Sequence, residues 1–318
     1  MSASSNESNG SLTAIFWALG ANTGIAVAKF AAAAYTGSGA MLAEAIHSVA
    51  DAANQVLLLI GLRQAKDGVT EIHPLGTGRV VYFYAMMVAL LLFMLGGAFS
   101  VYQGIQRLRH PEPVENALIA LAVLGVSIVL EAFSLHGAMR EIKKTQGKRS
   151  FWRWFRETRQ SELLVVAGED IAALAGLSFA FIAVFASHAT GNPVFDALGS
   201  VAVGVLLMTV ALLVMREVKS LIVGESAEPE MRAEIRKHIE ARPEVVSMIS
   251  LITLQWGDAI VVAVQAEMAP QPSASALVDA INVVEDSIQS RWPAVRWVFF
   301  EPDHPGSRDA RQAVTGRR

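Results

Sequence analysis

The chain has 318 residues, of which 53% are hydrophobic and only 17% are charged. This balance suits several membrane spans together with one modest soluble domain. The formal net charge of −3 averages over two unlike regions, and no basic tract is interleaved with aromatic residues, so we expect no nucleic-acid partner. The chain contains no cysteine, which excludes disulfides, thiolate metal sites and cysteine nucleophiles.

The first two thirds of the chain have the pattern of a membrane domain. Residues 1–10 are polar and are predicted to be disordered, and residues 11–216 are predicted to form a transmembrane domain of six α-helices, each near the twenty residues that cross a bilayer. Lysine and arginine concentrate in the linkers after the second and fourth segments, so those linkers and both termini should face the cytoplasm. The six apolar segments are 12–35, 40–62, 80–105, 117–136, 163–188 and 194–215.

The remaining part of the chain has the pattern of a small soluble domain. The predicted elements are helices at 229–242 and 273–291 and strands at 246–254, 259–267 and 295–300, an αββαβ order. Ser273 or Ser275 could cap the second helix. Residues 217–304 are therefore predicted to be a cytoplasmic C-terminal α+β domain, with a small core that dimerisation would complete. The polar tail, residues 305–318, is predicted to be disordered.

Ionisable side chains interrupt the second apolar segment. His47 and Asp51 stand four residues apart and share one helix face, with Glu44 a turn before them and Asn54 a turn after. A charge at mid-membrane costs roughly 2.5 to 3.5 kcal/mol, so such groups usually face a partner, a cavity or an ion. Imidazole and carboxylate donors suit Zn²⁺, Co²⁺, Fe²⁺ or Mn²⁺. The alternative is that His47 and Asp51 only pair with each other to join helices.

The fifth segment carries Glu169 and Asp170 among small residues, which let another helix approach closely. The second and fifth spans could therefore share an ion between His47, Asp51 and Asp170, the primary predicted ligands. Glu169 lies about 100° around the helix from Asp170. It would orient a ligand or relay protons, or else pair with a basic residue such as Lys29.

Other polar residues in the spans have two interpretations. Lys29, Glu131 and His136 either snorkel, cap or cross-link helices, or contact the ion. Asp196, with Asn192, lies near the outer end of the sixth span, where it would either cap a helix or form part of an ion entrance.

These motifs together resemble the cation diffusion facilitator family of metal transporters. The resemblance rests on residues 38–51 (SGAMLAEAIHSVAD), on Asn22 and Lys29 in the first span, and on the pattern Pro193-x-x-Asp196-x-x-x-Ser200. It implies six spans with cytoplasmic ends, a metallochaperone-like or ferredoxin-like αββαβ domain, a homodimer, and exchange of a divalent cation for protons by alternating access. It also implies that His47, Asp51 and Asp170 are metal ligands. The pattern His73-Pro74-x-Gly76 and the Glu-Asp pair resemble a branch that includes an organellar zinc transporter of animals.

The chain departs from the family pattern in two places. Val166 stands where the fifth span usually offers a ligand four residues before the aspartate, so the fourth donor would be Glu169, Glu44, Asn54 or water. The C-terminal domain lacks the histidines of zinc-binding relatives. His238, Asp303 and His304 are the remaining metal candidates there, and dimerisation is the favoured role of the domain.

The sequence thus predicts a secondary transporter in a bacterial inner membrane that exports a divalent cation in exchange for protons. Zinc is the favoured cargo, with Mn, Fe, Co and Cd left open, and no other cofactor is expected. The expected partners are a second copy of the chain, lipid, the cation and protons. The alternative is a metal sensor or scaffold that binds the ion without moving it. The loops contain no Ser-His-Asp set, GxSxG or HExxH motif, so an enzyme is not expected.

Overall fold

The computed structural model describes residues 23–66 and 68–304. The two predicted disordered segments and the first half of the first predicted span lie outside the described residues. The chain divides into two compact units, here called the membrane unit and the sheet unit. Among the described residues, the membrane unit comprises 23–63, Val81–Phe155 and Ser161–Lys219, and the sheet unit comprises 64–66, 68–80, Arg156–Gln160 and 220–304.

Five helices in the described part of the chain are long and apolar enough to cross a membrane. They coincide with the second to sixth predicted segments, so those five predictions are confirmed, whereas the count of six is not established. Residues 23–36, here α1, are also helical and belong to the first predicted segment. The five candidate spans are Gly39–Gln64 (α2), Val80–Arg109, Ala117–Lys144 within α5 (Ala117–Gln146), Ser161–Thr190 (α7) and Val194–Val223 (α8).

The core of the membrane unit contains many small residues. Large apolar side chains lie on its outer surface. Ala40, Ala43, Ala172 and Ala180 are fully buried in its core, which lets helix backbones approach closely. Large apolar side chains such as Phe133 point outward and are exposed. An apolar outer surface fits a lipid surrounding.

The third predicted span is not a regular α-helix throughout. It consists of α3 (Val80–Leu91), a π-helical segment (Leu92–Ala98) and α4 (Phe99–Arg109). Gly104 packs directly on α8, where a Cβ atom would lie 2.6 Å from Val201 Cγ2 and 3.0 Å from the Ala197 carbonyl oxygen. The glycines of this span thus allow close contact with α8. A π-helical turn inside an α-helix is often found at a functional site.

The sheet unit has the predicted αββαβ order. In the sheet the strand order is β1-β2-β3, with β1 and β2 antiparallel and β2 and β3 parallel. The Ser273 hydroxyl accepts a hydrogen bond from the Ala276 amide at 3.1 Å and is the N-cap of the second helix. A short helix α6 (Phe151–Glu157) precedes the fifth span, and the elements after α8 are α9 (Pro229–Glu240), β1 (Val245–Trp256), β2 (Ala259–Met268), α10 (Ala274–Arg291) and β3 (Val295–Pro302).

The sheet has one covered face and one uncovered face in the described residues. Ile235 of α9 and Ile288 of α10 pack with Val262 of β2 in one hydrophobic core. On the other face, the strand register places Ile252, Ala263 and Phe299 side by side in one row. Ile252 and Phe299 are 63% and 56% exposed. This row is an apolar surface without a partner within the described chain.

Residues 64–80, which run from the end of α2 to the start of α3, pack within the sheet unit. The Trp256 indole donates a hydrogen bond to the Gly76 carbonyl oxygen at 3.1 Å, and the Arg79 guanidinium lies 4.7 Å from the centre of the Trp256 ring. Arg79 also donates to the Leu221 carbonyl oxygen at 3.0 Å. Gly257 at the β1–β2 turn has a φ of +65° and touches Gly78, so the turn needs glycine both for its conformation and for this contact.

Candidate metal site

The polar stripe of α2 faces the interior of the membrane unit. Glu44, His47 and Asn54 are at most 1% exposed, and Asp51 is three-quarters buried. The Nδ1 atom of His47 lies 3.5 Å from Oδ1 of Asp51, as expected for residues one helical turn apart. The second span therefore presents an imidazole and carboxylates to neighbouring helices, and its opposite face carries the apolar residues.

Glu44 is paired with Lys29 of α1. The Lys29 ammonium lies 3.5 Å from Glu44 Oε2 and donates a hydrogen bond to the Ser48 hydroxyl at 2.8 Å. On its other side Glu44 meets Gly176 of α7, where a Cβ atom would lie 2.7 Å from Glu44 Oε1. This structure thus uses Glu44 as the partner of a lysine.

Asn54 connects the second span to the fifth, because its side-chain amide donates a hydrogen bond to Oε1 of Glu169. Asp170, the next residue along α7, does not share this contact. The two acidic residues of the fifth span therefore have different neighbours, in agreement with their angular separation on a helix.

A cavity of about 100 Å³ lies between α1, α2, α5 and α7. Water occupies about 30 Å³ per molecule in the liquid, so the space suits a small cation with a few waters. His47 is not part of the wall and lies behind Asp51. The polar residues that line the cavity are Lys29, Ser48, Asp51, Gln55, Ser127, Glu131, Ser134, Glu169 and Asp170.

Several buried polar atoms at this place have no hydrogen-bond partner among the described residues. They are Oδ1 of Asp51, Oδ2 of Asp170, Oδ1 of Asn54, Oε1 of Glu44 and both ring nitrogens of His47. An unpaired buried polar atom costs about 1 to 3 kcal/mol, so these atoms are expected to bind water or a cation. A nitrogen donor with carboxylate oxygens is the set that borderline divalent metals prefer.

The structure brings the primary predicted ligands together in pairs. His47 lies beside Asp51, and Asp51 shares the cavity wall with Asp170. Within residues 23–66 and 68–304, no three His, Asp or Glu side chains converge on one point in this conformation. A site using all three residues thus requires side chains or helices to be arranged differently from this conformation.

Glu131 is a cavity residue that the sequence interpretation left among several possibilities. It projects from α5 into the same wall as Asp51 and Asp170. The available signal was the same as for Glu44, a carboxylate inside an apolar segment. The sequence could not predict that Glu131 lies beside Asp51 and Asp170, because the packing of the helices decides which side of α5 meets α7.

The π-helical segment of the third span passes beside the histidine. A Cβ atom on Gly96 would lie 3.9 Å from His47 Nδ1, an ordinary contact distance. The imidazole is therefore enclosed between α2 and an irregular part of the third span. No sequence pattern used above predicted this irregularity, although the adjacent Gly96 and Gly97 are its most visible signal.

Asp196 is a helix cap and is almost completely buried. It accepts hydrogen bonds from the Ser38 hydroxyl at 2.6 Å and from the Gly39 amide at 2.7 Å, at the first turn of α2. Arg107 of α4 lies 3.6 Å from the same carboxylate. Of the two interpretations, capping is the one that the contacts support, with the difference that the capping residue is buried and belongs to another span.

The metal candidates of the sheet unit do not form a cluster within the described residues. Nε2 of His238 lies 3.0 Å from the Ser287 hydroxyl and its ring packs edge-on to Trp292; burial, followed by nearby arginines, lowers the pKa of this imidazole. Asp303 accepts a hydrogen bond from Gln265 at 2.6 Å, and His304 beside it is exposed. These contacts favour a structural role for His238 and leave Asp303 and His304 with no third donor among the described residues.

The chain is similar to a family of membrane proteins and to several of its members. Residues 15–223 match the family described as the cation efflux transmembrane domain. The chain is 35% identical over 220 residues to the human protein named "Proton-coupled zinc antiporter SLC30A9, mitochondrial", which covers 68% of this chain and 39% of that protein. It is 31% identical over 205 residues to Metal tolerance protein C4 of Arabidopsis thaliana, covering 63% of this chain and 44% of that protein.

A bacterial relative matches a larger part of the chain at lower identity. Zinc transporter ZitB of Escherichia coli is 22% identical over 306 residues, which covers 95% of this chain and 92% of ZitB. The chain spans about two fifths of the length of the SLC30A9 relatives that it matches. The predicted resemblance, including the likeness to an organellar zinc transporter, is confirmed, and the match is to transporters and not to enzymes. The chain is an integral membrane protein that belongs to the cation efflux family.

Proposed function

We propose that this protein exports a divalent transition-metal cation, zinc foremost, in exchange for protons by alternating access. The observation that carries the proposal is the cavity in which Asp51 and Asp170, from the second and fifth spans, have buried carboxylate oxygens without a hydrogen-bond partner among the described residues. The names of the relatives agree, since one group is named as proton-coupled zinc antiporters and another as a zinc transporter.

The cation is the cargo, and the primary ligands are His47, Asp51 and Asp170. Each must be deprotonated to bind a metal, so protons and the cation compete for the same atoms. Imidazole is the side chain whose unperturbed pKa lies nearest neutral pH, which makes His47 the natural coupling group. Glu169, Asn54 and water are the proposed sources of a fourth donor, and Glu44 is a weaker source because Lys29 already holds it.

The proposed setting is a bacterial inner membrane with six spans and both termini in the cytoplasm. The basic linkers after the second and fourth segments support this orientation. Residues 11–216 would be the transmembrane domain and residues 217–304 a cytoplasmic domain. The proposed functional unit is a homodimer, and the exposed row of Ile252, Ala263 and Phe299 supports it, because an apolar sheet surface is readily buried against a second copy.

A flux assay tests the proposal. Purified protein in vesicles should move Zn²⁺ when a pH difference is imposed, and Asp51→Ala should lower the initial rate by roughly tenfold or more, since a carboxylate ligand is lost. Glu141→Ala, which removes an exposed carboxylate paired with Lys144, is the matched control and should retain the wild-type rate.

Three outcomes would contradict parts of the proposal. A zinc flux that ignores the pH difference would exclude proton coupling, and an unchanged rate in Asp51→Ala would exclude the site. Zinc binding without any flux in the wild-type protein would favour a metal sensor or scaffold.

A further inference from the structure

Lys29 is the one lysine or arginine among the described residues that line the cavity. Its side chain is 5% exposed, and its ammonium contacts Glu44 at 3.5 Å and Ser48 at 2.8 Å. The same cavity is lined by four carboxyl groups, those of Asp51, Glu131, Glu169 and Asp170. The Lys29 ammonium is thus a positive charge at the edge of a cavity whose other ionisable groups are carboxyl groups.

Snorkelling does not explain this position. A snorkelling lysine takes its ammonium out to the interface and leaves only its methylene groups among apolar side chains. Here the ammonium itself is buried, next to a carboxylate that is fully buried. A buried ion pair is weak evidence for stability, because the desolvation of both charges opposes their attraction. The position therefore calls for an explanation in terms of the cavity and not of helix packing alone.

The charge of the cavity depends strongly on this residue. Charges a few ångströms apart in a protein interior interact far more strongly than in water. Lys29 offsets one of the acidic groups and repels an arriving dication with a fixed positive charge. A transport site must bind its ion firmly enough to load and weakly enough to release it.

Resting on the proposed function, we propose that Lys29 is a tethered counter-cation that limits how tightly the cavity holds a divalent metal, and so keeps the cargo releasable. Glu44 and Ser48 fix the ammonium in place for this role. Lys29 is then a residue that tunes affinity without ligating the metal.

Zinc titration of the full-length protein tests this inference. Lys29→Met keeps the length of the side chain and removes its charge, and it should bind Zn²⁺ roughly tenfold more tightly or better, with a lower maximal flux because release slows. Lys29→Arg keeps the charge and should stay within about threefold of the wild-type affinity.

The direction in which the zinc affinity of Lys29→Met changes distinguishes a role in tuning that affinity from a merely structural role. A structural role predicts weaker zinc binding in Lys29→Met, whereas charge offset predicts tighter binding. If Lys29→Met is not monodisperse in detergent, Lys29→Gln, whose amide can still donate to Ser48, takes its place. Unchanged or weaker zinc binding in a folded variant would overturn the inference.

The proposed function fails under a different result. Absence of zinc flux in the wild-type protein would contradict export while leaving the affinity comparison intact. Normal wild-type flux together with an unaltered affinity in Lys29→Met would retain export and reject the role of Lys29.

Discussion

At the scale of one residue, Gly176 leaves the space that the side chain of Glu44 occupies. A Cβ atom at this position would lie 2.7 Å from Glu44 Oε1, closer than non-bonded atoms approach, so the carboxylate occupies the space that glycine leaves on α7. This position keeps Glu44 near Lys29, on the far side from the lipid. The glycine thus contributes to the charge arrangement of the cavity without touching it.

Gly176→Ala should therefore displace the Glu44 carboxylate and lower stability by about 1 to 3 kcal/mol, the usual range for overpacking a close contact. The measurement is the thermal unfolding of the purified protein in detergent. Gly137→Ala in α5 is the matched control, because nothing lies within 4 Å of its Cβ position and alanine favours a helix. A melting temperature equal to that of the control variant would show that the contact is not tight.

Single residues also show what the sequence could and could not predict. His47, Asp51 and Asp170 were predictable as interior groups, because a charge in an apolar segment must avoid lipid. The pairings of Lys29 with Glu44 and of Asn54 with Glu169 were not predictable. They depend on which faces of different helices meet, and helical periodicity within one segment carries no information about that.

At the scale of elements, α2 is held at its N-terminal end by another helix. Asp196 of α8 satisfies amide groups of the first turn of α2, and Arg107 of α4 joins the same carboxylate. The carboxylate also suits the positive end of the α2 dipole. Three spans are thereby tied together where α2, the helix with His47 and Asp51, begins.

Asp196→Ala should destabilise the protein by about 3 kcal/mol or more. It removes the cap of α2 and takes from the Arg107 guanidinium its carboxylate partner. Asp196→Asn retains an acceptor for the amides and should lose less. Thermal unfolding of both variants against Glu141→Ala, an exposed acidic residue with an ion pair, measures the difference. Equal melting temperatures for Asp196→Ala and the control would contradict the capping role.

Elements were the most predictable level of this structure. Five apolar segments and all five elements of the sheet unit lie close to their predicted positions, because apolar length and strand alternation are local signals. The π-helical segment at Leu92–Ala98 is the exception. It arises within a continuous apolar run, where hydrophobicity is the same for an α-helical and a π-helical backbone.

At the scale of the whole molecule, the segment between α2 and α3 belongs to the sheet unit and is at the same time continuous with two membrane spans. Trp256 of the β1–β2 turn holds this segment through its bond to Gly76 and its contact with Arg79. If the path of residues 64–80 changes, the contacts of Trp256 must therefore either break or move together with the segment. The sequence predicted the turn at Trp256 but not its partner, since the two lie 180 positions apart in the chain.

Trp256→Ala should loosen this segment without unfolding the sheet. It removes a hydrogen bond and a cation–π contact, together worth about 1 to 2 kcal/mol, so amide exchange in residues 76–79 should accelerate by roughly tenfold. Hydrogen-exchange mass spectrometry of the full-length protein measures this, with Ile72→Ala, an 84% exposed residue of the same segment, as the control that should leave exchange unchanged. Trp256→Phe keeps the ring and loses the indole donor, so its exchange rate should lie between the two. An unaltered rate in Trp256→Ala would mean that the backbone contact between Gly78 and Gly257 holds the segment by itself, and that the tryptophan is not needed to hold it.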